Sequence, residues 1–175
     1  SQWMTAGSGI LHEEMPQPAD RLLGLQIWIN LPKKDKMTRP KYFDITENMM
    51  GTKVLDNATV KVISGEFMGE KGVSTHHIQT EYYDVSLNSG SISIDTDPED
   101  TVFLFLISGD ARIHGRVLPE KTAVLFGEGD SVTVTAEEGG CRFIFLSARP
   151  LYEEISWGGP IVMNTEEELQ QAFTD

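Results

Sequence analysis

Apolar and polar residues alternate along much of this chain, in short runs that turn residues separate. Successive side chains of a β-strand point to opposite faces, so alternation indicates a strand with one face in a core and the other in water. The apolar members of these runs are Val60, Val62 and Phe67; Tyr83, Val85 and Leu87; Ile92 and Ile94; and Val132, Val134 and Ala136. The pattern predicts a mainly β protein.

Three other segments, residues 22–29, 102–107 and 143–146, consist almost entirely of apolar residues. Such runs are typical of central strands that are buried on both faces. Glycine, asparagine, aspartate and serine mark turns at 88–90, 108–110, 127–130 and 138–140. Many short strands at this regular spacing predict a sandwich or a barrel.

One α-helix is predicted at the end of the sequence. Thr165 and Glu168 have the spacing of a capping box, in which the threonine side chain caps free amides and the glutamate reaches back. Leu169, Ala172 and Phe173 follow at helical spacing and form an apolar stripe. We expect this stripe to pack against a barrel.

Charge and composition disfavour several classes of function and location. The formal net charge of the 175 residues is -13, which disfavours contact with nucleic acid or an anionic membrane surface. No apolar stretch approaches the roughly 20 residues of a membrane-spanning helix. The first seven residues do not resemble a signal peptide, and the single cysteine, Cys141, has no partner for an internal disulfide. A reducing, cytoplasmic location is therefore expected.

The only basic patch, residues 33–40, is interpreted as a solvated loop.

A short H-x-E motif, His12 and Glu14, is the strongest local signal for metal chemistry. If residues 10–14 form a strand, both side chains lie on the same face. Imidazole and carboxylate together suit Fe(II), Mn or Zn. An exposed His–Glu pair without a ligand role is the alternative.

The remaining candidates are interpreted as structural. His76 and His77 are adjacent, so in an extended chain they point to opposite faces, and we assign them to a linker. His114 is placed in a short strand without a partner in the sequence, and Cys141 is assigned to the core as a small apolar residue. The sequence contains no phosphate-binding glycine loop, nucleophile elbow or C-x-x-C motif.

Three blocks give the H-x-E motif a context. Residues 2–16, which contain it, residues 24–37, and residues 159–165 with Glu167 resemble, in this order, the characteristic segments of the pirin family. That family has two cupin lobes. The resemblance implies an incomplete N-terminal lobe in residues 1–75 and a complete C-terminal lobe with a closing helix in residues 76–175.

The family resemblance also implies a metal site in the N-terminal lobe, usually with iron, held by three histidines and one glutamate. His12 and Glu14 match two of these ligands, whereas the H-x-H segment that supplies two more has no counterpart here. We therefore expect weak binding of Fe(II) or another divalent ion such as Mn, Zn or Ni. In the C-terminal lobe, Asp95 and Asp97 stand where a metal-binding cupin has its H-x-H, and they are interpreted as loop carboxylates.

Two functions follow from the resemblance. One is oxygenation of a flavonol by a quercetin 2,3-dioxygenase reaction, with Glu14 accepting the hydroxyl proton. Trp3, Met4 and Trp28 then form an apolar wall, unless they simply pack in the core. The other is a metal- or redox-sensitive regulatory module that binds a protein partner. An unclosed barrel also predicts a homo-oligomer, or association that completes the first barrel.

Overall fold

The computed structural model describes residues 1–13, 15, 18, 20 and 22–174. They belong to two compact units. One, here called the core unit, contains Ser1 and residues 44–150; the other, the terminal unit, contains residues 2–43 and 151–175.

Sixteen strands and one α-helix form within the described residues, which confirms the prediction of a β protein with a short C-terminal helix. The first eight strands are β1 (Gln2–Thr5), β2 (Lys41–Asp44), β3 (Gly51–Val54), β4 (Ala58–Ser64), β5 (Glu66–Phe67), β6 (Glu70–Lys71), β7 (Thr80–Leu87) and β8 (Ser91–Asp95). The others are β9 (Thr101–Ser108), β10 (Ala111–Ile113), β11 (Arg116–Leu118), β12 (Ala123–Leu125), β13 (Ser131–Ala136), β14 (Cys141–Ala148), β15 (Ser156–Gly158) and β16 (Ile161–Met163), followed by the helix α1 (Glu166–Thr174).

Two antiparallel sheets build the core unit. The larger has the strand order β12-β9-β14-β7-β4-β3, and the smaller has the order β11-β10-β13-β8. A separate pair, β5 and β6, completes the unit. The two large sheets share no strand, so among the described residues they face each other as a sandwich and are not closed into a hydrogen-bonded barrel.

The apolar core lies between these sheets. The alternating positions predicted from the sequence are buried: Val60, Val62, Phe67, Tyr83, Val85, Leu87, Ile92, Ile94, Val132 and Val134. They form one cluster with residues from both sheets, with the partly buried Ala136 packed against it. Alternation therefore identified the core face of each strand, since a one-residue shift in register would move every apolar side chain to the solvent side.

Two of the three fully apolar segments are central strands, as expected. β9 lies between β12 and β14, and β14 lies between β9 and β7. Phe143 and Phe145 of β14 have no exposed surface. Turns occupy the predicted positions between these strands; at one of them, Gly109 has a φ of 72°, and an added Cβ would lie 2.1 Å from the carbonyl oxygen of Gly140.

The third apolar segment, residues 22–29, is not a strand. All of its residues are described and none is in a helix or a strand, and Leu22, Leu23, Leu25 and Trp28 are exposed. A central strand needs a hydrogen-bonded neighbour on each side. Among the described strands of the terminal unit, only the pairs β1–β2 and β15–β16 form, so this run has no sheet to join.

The helix α1 begins with the predicted capping box. The Glu168 amide donates to Thr165 Oγ1 at 3.2 Å, and the Thr165 amide donates to a Glu168 carboxylate oxygen at 3.1 Å. Leu169 is buried, whereas Phe173 is exposed. A Cβ at Gly158 would lie 3.1–3.2 Å from the side chains of these two residues, so the helix packs on the β15–β16 hairpin, where the sequence predicted a barrel.

No helix in the described part of the chain has the length and apolar character that crossing a membrane requires.

Replacement of Leu104 should test the core. Leu104 in β9 has no exposed surface. We expect Leu104→Ala to lower the free energy of unfolding by about 2–5 kcal/mol, because it removes buried methyl groups and leaves a cavity. Leu125 in the adjacent strand β12 is 71% exposed, so Leu125→Ala should change stability by about 0.5 kcal/mol or less. Urea unfolding followed by circular dichroism measures both; equal losses would contradict this description of the core.

Candidate functional site

His12 lies in the terminal unit, just after a tight turn that follows β1. The Ser8 amide donates to the carbonyl of Thr38 at 2.9 Å, and the Gly9 amide donates to that of Ala6 at 3.0 Å. Gly7 is required in this turn, because its φ is 53° and an added Cβ would lie 2.1 Å from the Thr38 carbonyl oxygen. The His12 side chain itself is exposed.

The strand predicted for residues 10–14 does not form in its described part. Residues 10–13 have no regular secondary structure, so strand geometry gives no reason for His12 to share a face with residue 14. Glu14, the second predicted ligand, lies outside the described residues.

The described side chains do not assemble a ligand set for a metal ion. No group of three or more histidine, cysteine, aspartate or glutamate residues comes together among them in a way that would hold one. His12 has suitable donor chemistry but supplies a single ligand. The described residues of one chain therefore supply an incomplete ligand set for the metal implied by the family resemblance, and we derive no chemical step through that metal.

His76 and His77 lie in the loop between β6 and β7, as predicted for linker residues.

His114, however, is not in a strand. It forms with Gly115 the two-residue turn between β10 and β11, where both residues have positive φ values, 48° and 75°. Its ring lies 6.3 Å from that of Phe126.

A group of carboxylates surrounds Arg149 in the core unit. The guanidinium contacts Asp97 at 2.8 Å, Glu99 at 2.6 Å and Asp100 at 3.4 Å. A hydrogen bond from the Glu99 amide, followed by the charge of Arg149, lowers the pKa of Asp97. Asp97 is thus a loop carboxylate, as predicted, whereas Asp95 is the last residue of β8, where it pairs with β13, so the same prediction was wrong for it. No local sequence motif indicated that the partner of Asp97 is Arg149, which lies more than fifty residues away in sequence.

Lys36 corrects the interpretation of residues 33–40 as a solvated loop. Its side chain is buried, its Nζ donates to Asn30 Oδ1, and burial lowers its pKa although Glu153 and Glu168 oppose the shift. The Lys33 amide donates to a Glu153 carboxylate oxygen at 2.7 Å, which ties this loop to the late part of the chain.

Asn164 is also buried in the terminal unit. Its Nδ2 donates to the Glu154 carbonyl at 2.8 Å, and its Oδ1 has no hydrogen-bond partner among the described residues.

Cys141 is buried at the start of β14 and belongs to the apolar core, as predicted. Burial raises the pKa of its thiol to about 11. A thiol in this setting is a packing residue, because at neutral pH almost none of it is the reactive thiolate.

Comparison with protein families gives two matches. The Pirin C-terminal cupin domain matches residues 82–175, which is more than half of the chain, and the Pirin family matches residues 1–29. The chain belongs to the pirin family. The three blocks that carried the resemblance in the sequence fall within or overlap these two regions.

Similarity to individual pirins extends over 99% of this chain. It is 40% identical to human pirin, over 62% of that protein, and 37% identical to a pirin-like protein of Caulobacter vibrioides, over 64% of it. The chain thus spans less than two thirds of these relatives.

A similar solved structure supports the cupin architecture. The crystal structure of a quercetin 2,3-dioxygenase from Acinetobacter baumannii has a TM-score of 0.78 and 31% sequence identity, and the match covers 85% of this chain and 53% of that one.

The reactivity of Cys141 tests whether its thiol is buried. Modification of Cys141 by iodoacetamide should be slow in the native protein and should speed up about tenfold per pH unit until the pH approaches 11, because only the thiolate reacts. In 6 M urea the pKa returns to about 8.5 and the thiol becomes accessible, so modification at pH 8 should be fast. Mass spectrometry measures both rates, and equal rates at pH 8 would contradict the burial of Cys141.

Proposed function

We propose that this pirin is a metal-binding cupin protein whose activity is oxygenation of a flavonol, of the quercetin 2,3-dioxygenase type. The likeness to the Acinetobacter baumannii enzyme carries this proposal, because it combines 31% identity with a TM-score of 0.78 over most of the chain. The activity concerns the whole protein, and this chain spans 62% of human pirin.

His12 and Glu14 are the residues proposed as ligands of the divalent ion, with iron first and Mn, Zn and Ni as alternatives. Glu14 is also proposed to accept the proton of the flavonol hydroxyl, as a nearby carboxylate can. His12 is exposed, which leaves its imidazole accessible to an ion or to other donors. The other ligands must come from outside the described residues of one chain.

A second proposal is that the terminal unit binds another protein, most simply a second copy of this chain. Among the described residues, seventeen large apolar side chains are exposed, and twelve of them belong to this unit, although it has far fewer residues than the core unit. They include Trp28 and Trp157, which are 55% and 70% exposed and whose rings meet at 6.3 Å. An apolar surface of this kind marks an interaction site.

Metal binding tests the first proposal. We expect equilibrium dialysis against Fe(II), Mn(II), Ni(II) or Zn(II) to show binding by the wild-type chain, and His12→Ala to weaken it about tenfold or more, since a ligand is lost. His114→Asn is the matched control: asparagine tolerates the positive φ of that turn, and binding should be unchanged.

Equal affinity in all three proteins would contradict the assignment of His12.

An activity assay distinguishes an enzyme from a metal-binding module. If the metal-loaded chain is an enzyme, it should consume quercetin and oxygen together.

Light scattering tests the second proposal. At micromolar concentration we expect a species larger than a monomer. Trp157→Ser should shift it towards the monomer, because it removes an exposed aromatic ring of the terminal unit. Val54→Ser changes a 71% exposed apolar residue of the core unit and should leave the distribution as it is. A strictly monomeric wild-type chain would rule out self-association.

A further inference from the structure

A small pocket opens at one end of the sandwich in the core unit. It is lined by Val102 of β9 and Val132 of β13, which belong to opposite sheets and are almost fully buried. His114, Phe126 and the exposed Glu128 also line it. Its volume is about 80 Å³. Pockets that bury whole small molecules measure ~300–1,000 Å³, so this one suits the end of a single side chain.

The residues around the pocket are held in place by backbone and hydroxyl contacts. The Thr96 amide donates to the Asp130 carbonyl at 2.8 Å, and the Thr96 hydroxyl donates to the Gly129 carbonyl at 2.9 Å. The Phe126 amide donates to the Val102 carbonyl at 3.0 Å. The two Thr96 bonds join the loop after β8 to the loop before β13, and the Phe126 bond ties the latter loop to β9.

The lining of the pocket includes the rings of His114 and Phe126 and the acidic residue Glu128. The rings of His114 and Phe126 are 6.3 Å apart and inclined at 58°, so they present different surfaces to an occupant. Within the described part of the chain, no basic side chain is in salt-bridge contact with the exposed Glu128 carboxylate. The face of the Phe126 ring attracts a cation because it is electronegative, and a carboxylate neutralises the charge of that cation.

The charged residues around the pocket also favour a cation over an anion. The loops that meet here carry Asp97, Glu99, Asp100, Glu128 and Asp130, and Asp95 ends the adjoining strand β8. Arg149 is paired with three of these residues, and the whole chain has a net charge of -13. An anion would be repelled at this end of the sandwich, whereas a cation would be drawn towards it.

We propose that this pocket receives the ammonium end of a lysine side chain of a partner protein. A lysine has a compact point charge for Glu128 and the Phe126 ring, and a flexible apolar stem for Val102 and Val132. This surface lies in the core unit and needs no metal, so it is independent of the activity proposed above.

Blocked lysine is the probe that tests this proposal. Nα-acetyl-lysine amide is titrated into the ¹⁵N-labelled chain, and amide shifts are followed by NMR. We expect saturable shifts centred on residues 114, 126–129 and 131. Nα-acetyl-norleucine amide has a similar apolar stem without the charge and should give no saturable shifts there. Free lysine should bind more weakly, because its α-carboxylate would face the acidic loops.

Two variants separate a built pocket from general attraction to an acidic surface. Glu128→Gln keeps the shape of the side chain and removes its charge, so the affinity for blocked lysine should fall about fivefold. Glu138→Gln removes an exposed charge in the turn between β13 and β14, outside the pocket, and should leave the affinity unchanged.

Equal effects of the two variants, or shifts spread over all acidic loops, would contradict the proposal that blocked lysine binds in this pocket. Equal binding of norleucine amide would overturn the role of the charge. Equal or tighter binding of free lysine would overturn a polypeptide as the source of the ammonium group.

Discussion

The pairing of β14 with a strand on each side is the interaction on which the core unit depends. β14 is hydrogen-bonded over its full length to β7 and along most of it to β9, and the outer strands join the sheet only through these two. Its Phe145 ring stacks on Tyr83 of β7 with centroids 5.5 Å apart. Because Phe143 and Phe145 also fill the space towards the second sheet, strand order and core packing are determined together.

Most of this arrangement could be predicted from the sequence, because apolar and polar residues alternate along a strand with one buried face. Val132 and Val134, for example, are buried and separated by an exposed threonine. Residues 22–29 show where this reasoning fails: the segment has the composition of a central strand, but composition does not reveal whether neighbouring strands are available. Lys36 shows the same limitation for charge, since the carboxylates whose charges act on it, Glu153 and Glu168, lie more than a hundred positions later.

The candidate sites were less accessible to sequence reasoning. His12 and Glu14 were selected by family resemblance rather than by geometry, and the described residues do not assemble the rest of a ligand set. His114 was placed in a strand because its turn lacks the usual asparagine or aspartate before glycine. Its proximity to Phe126 and to the Glu128 loop is a product of strand pairing, which no short motif records.

The bond between the Lys33 amide and Glu153 crosses 120 residues of sequence. A ribosome adds roughly 5–20 residues per second, so these two groups are synthesised roughly 6–24 s apart. During that interval the strands of the core unit can pair, because they are contiguous in the chain, and so can β1 and β2, whereas the contacts of residues 2–43 with residues 151–175 must wait until the later segment is made. The exposed leucines and Trp28 of the early segment are then nascent-chain surface, open to chaperones before their own unit exists.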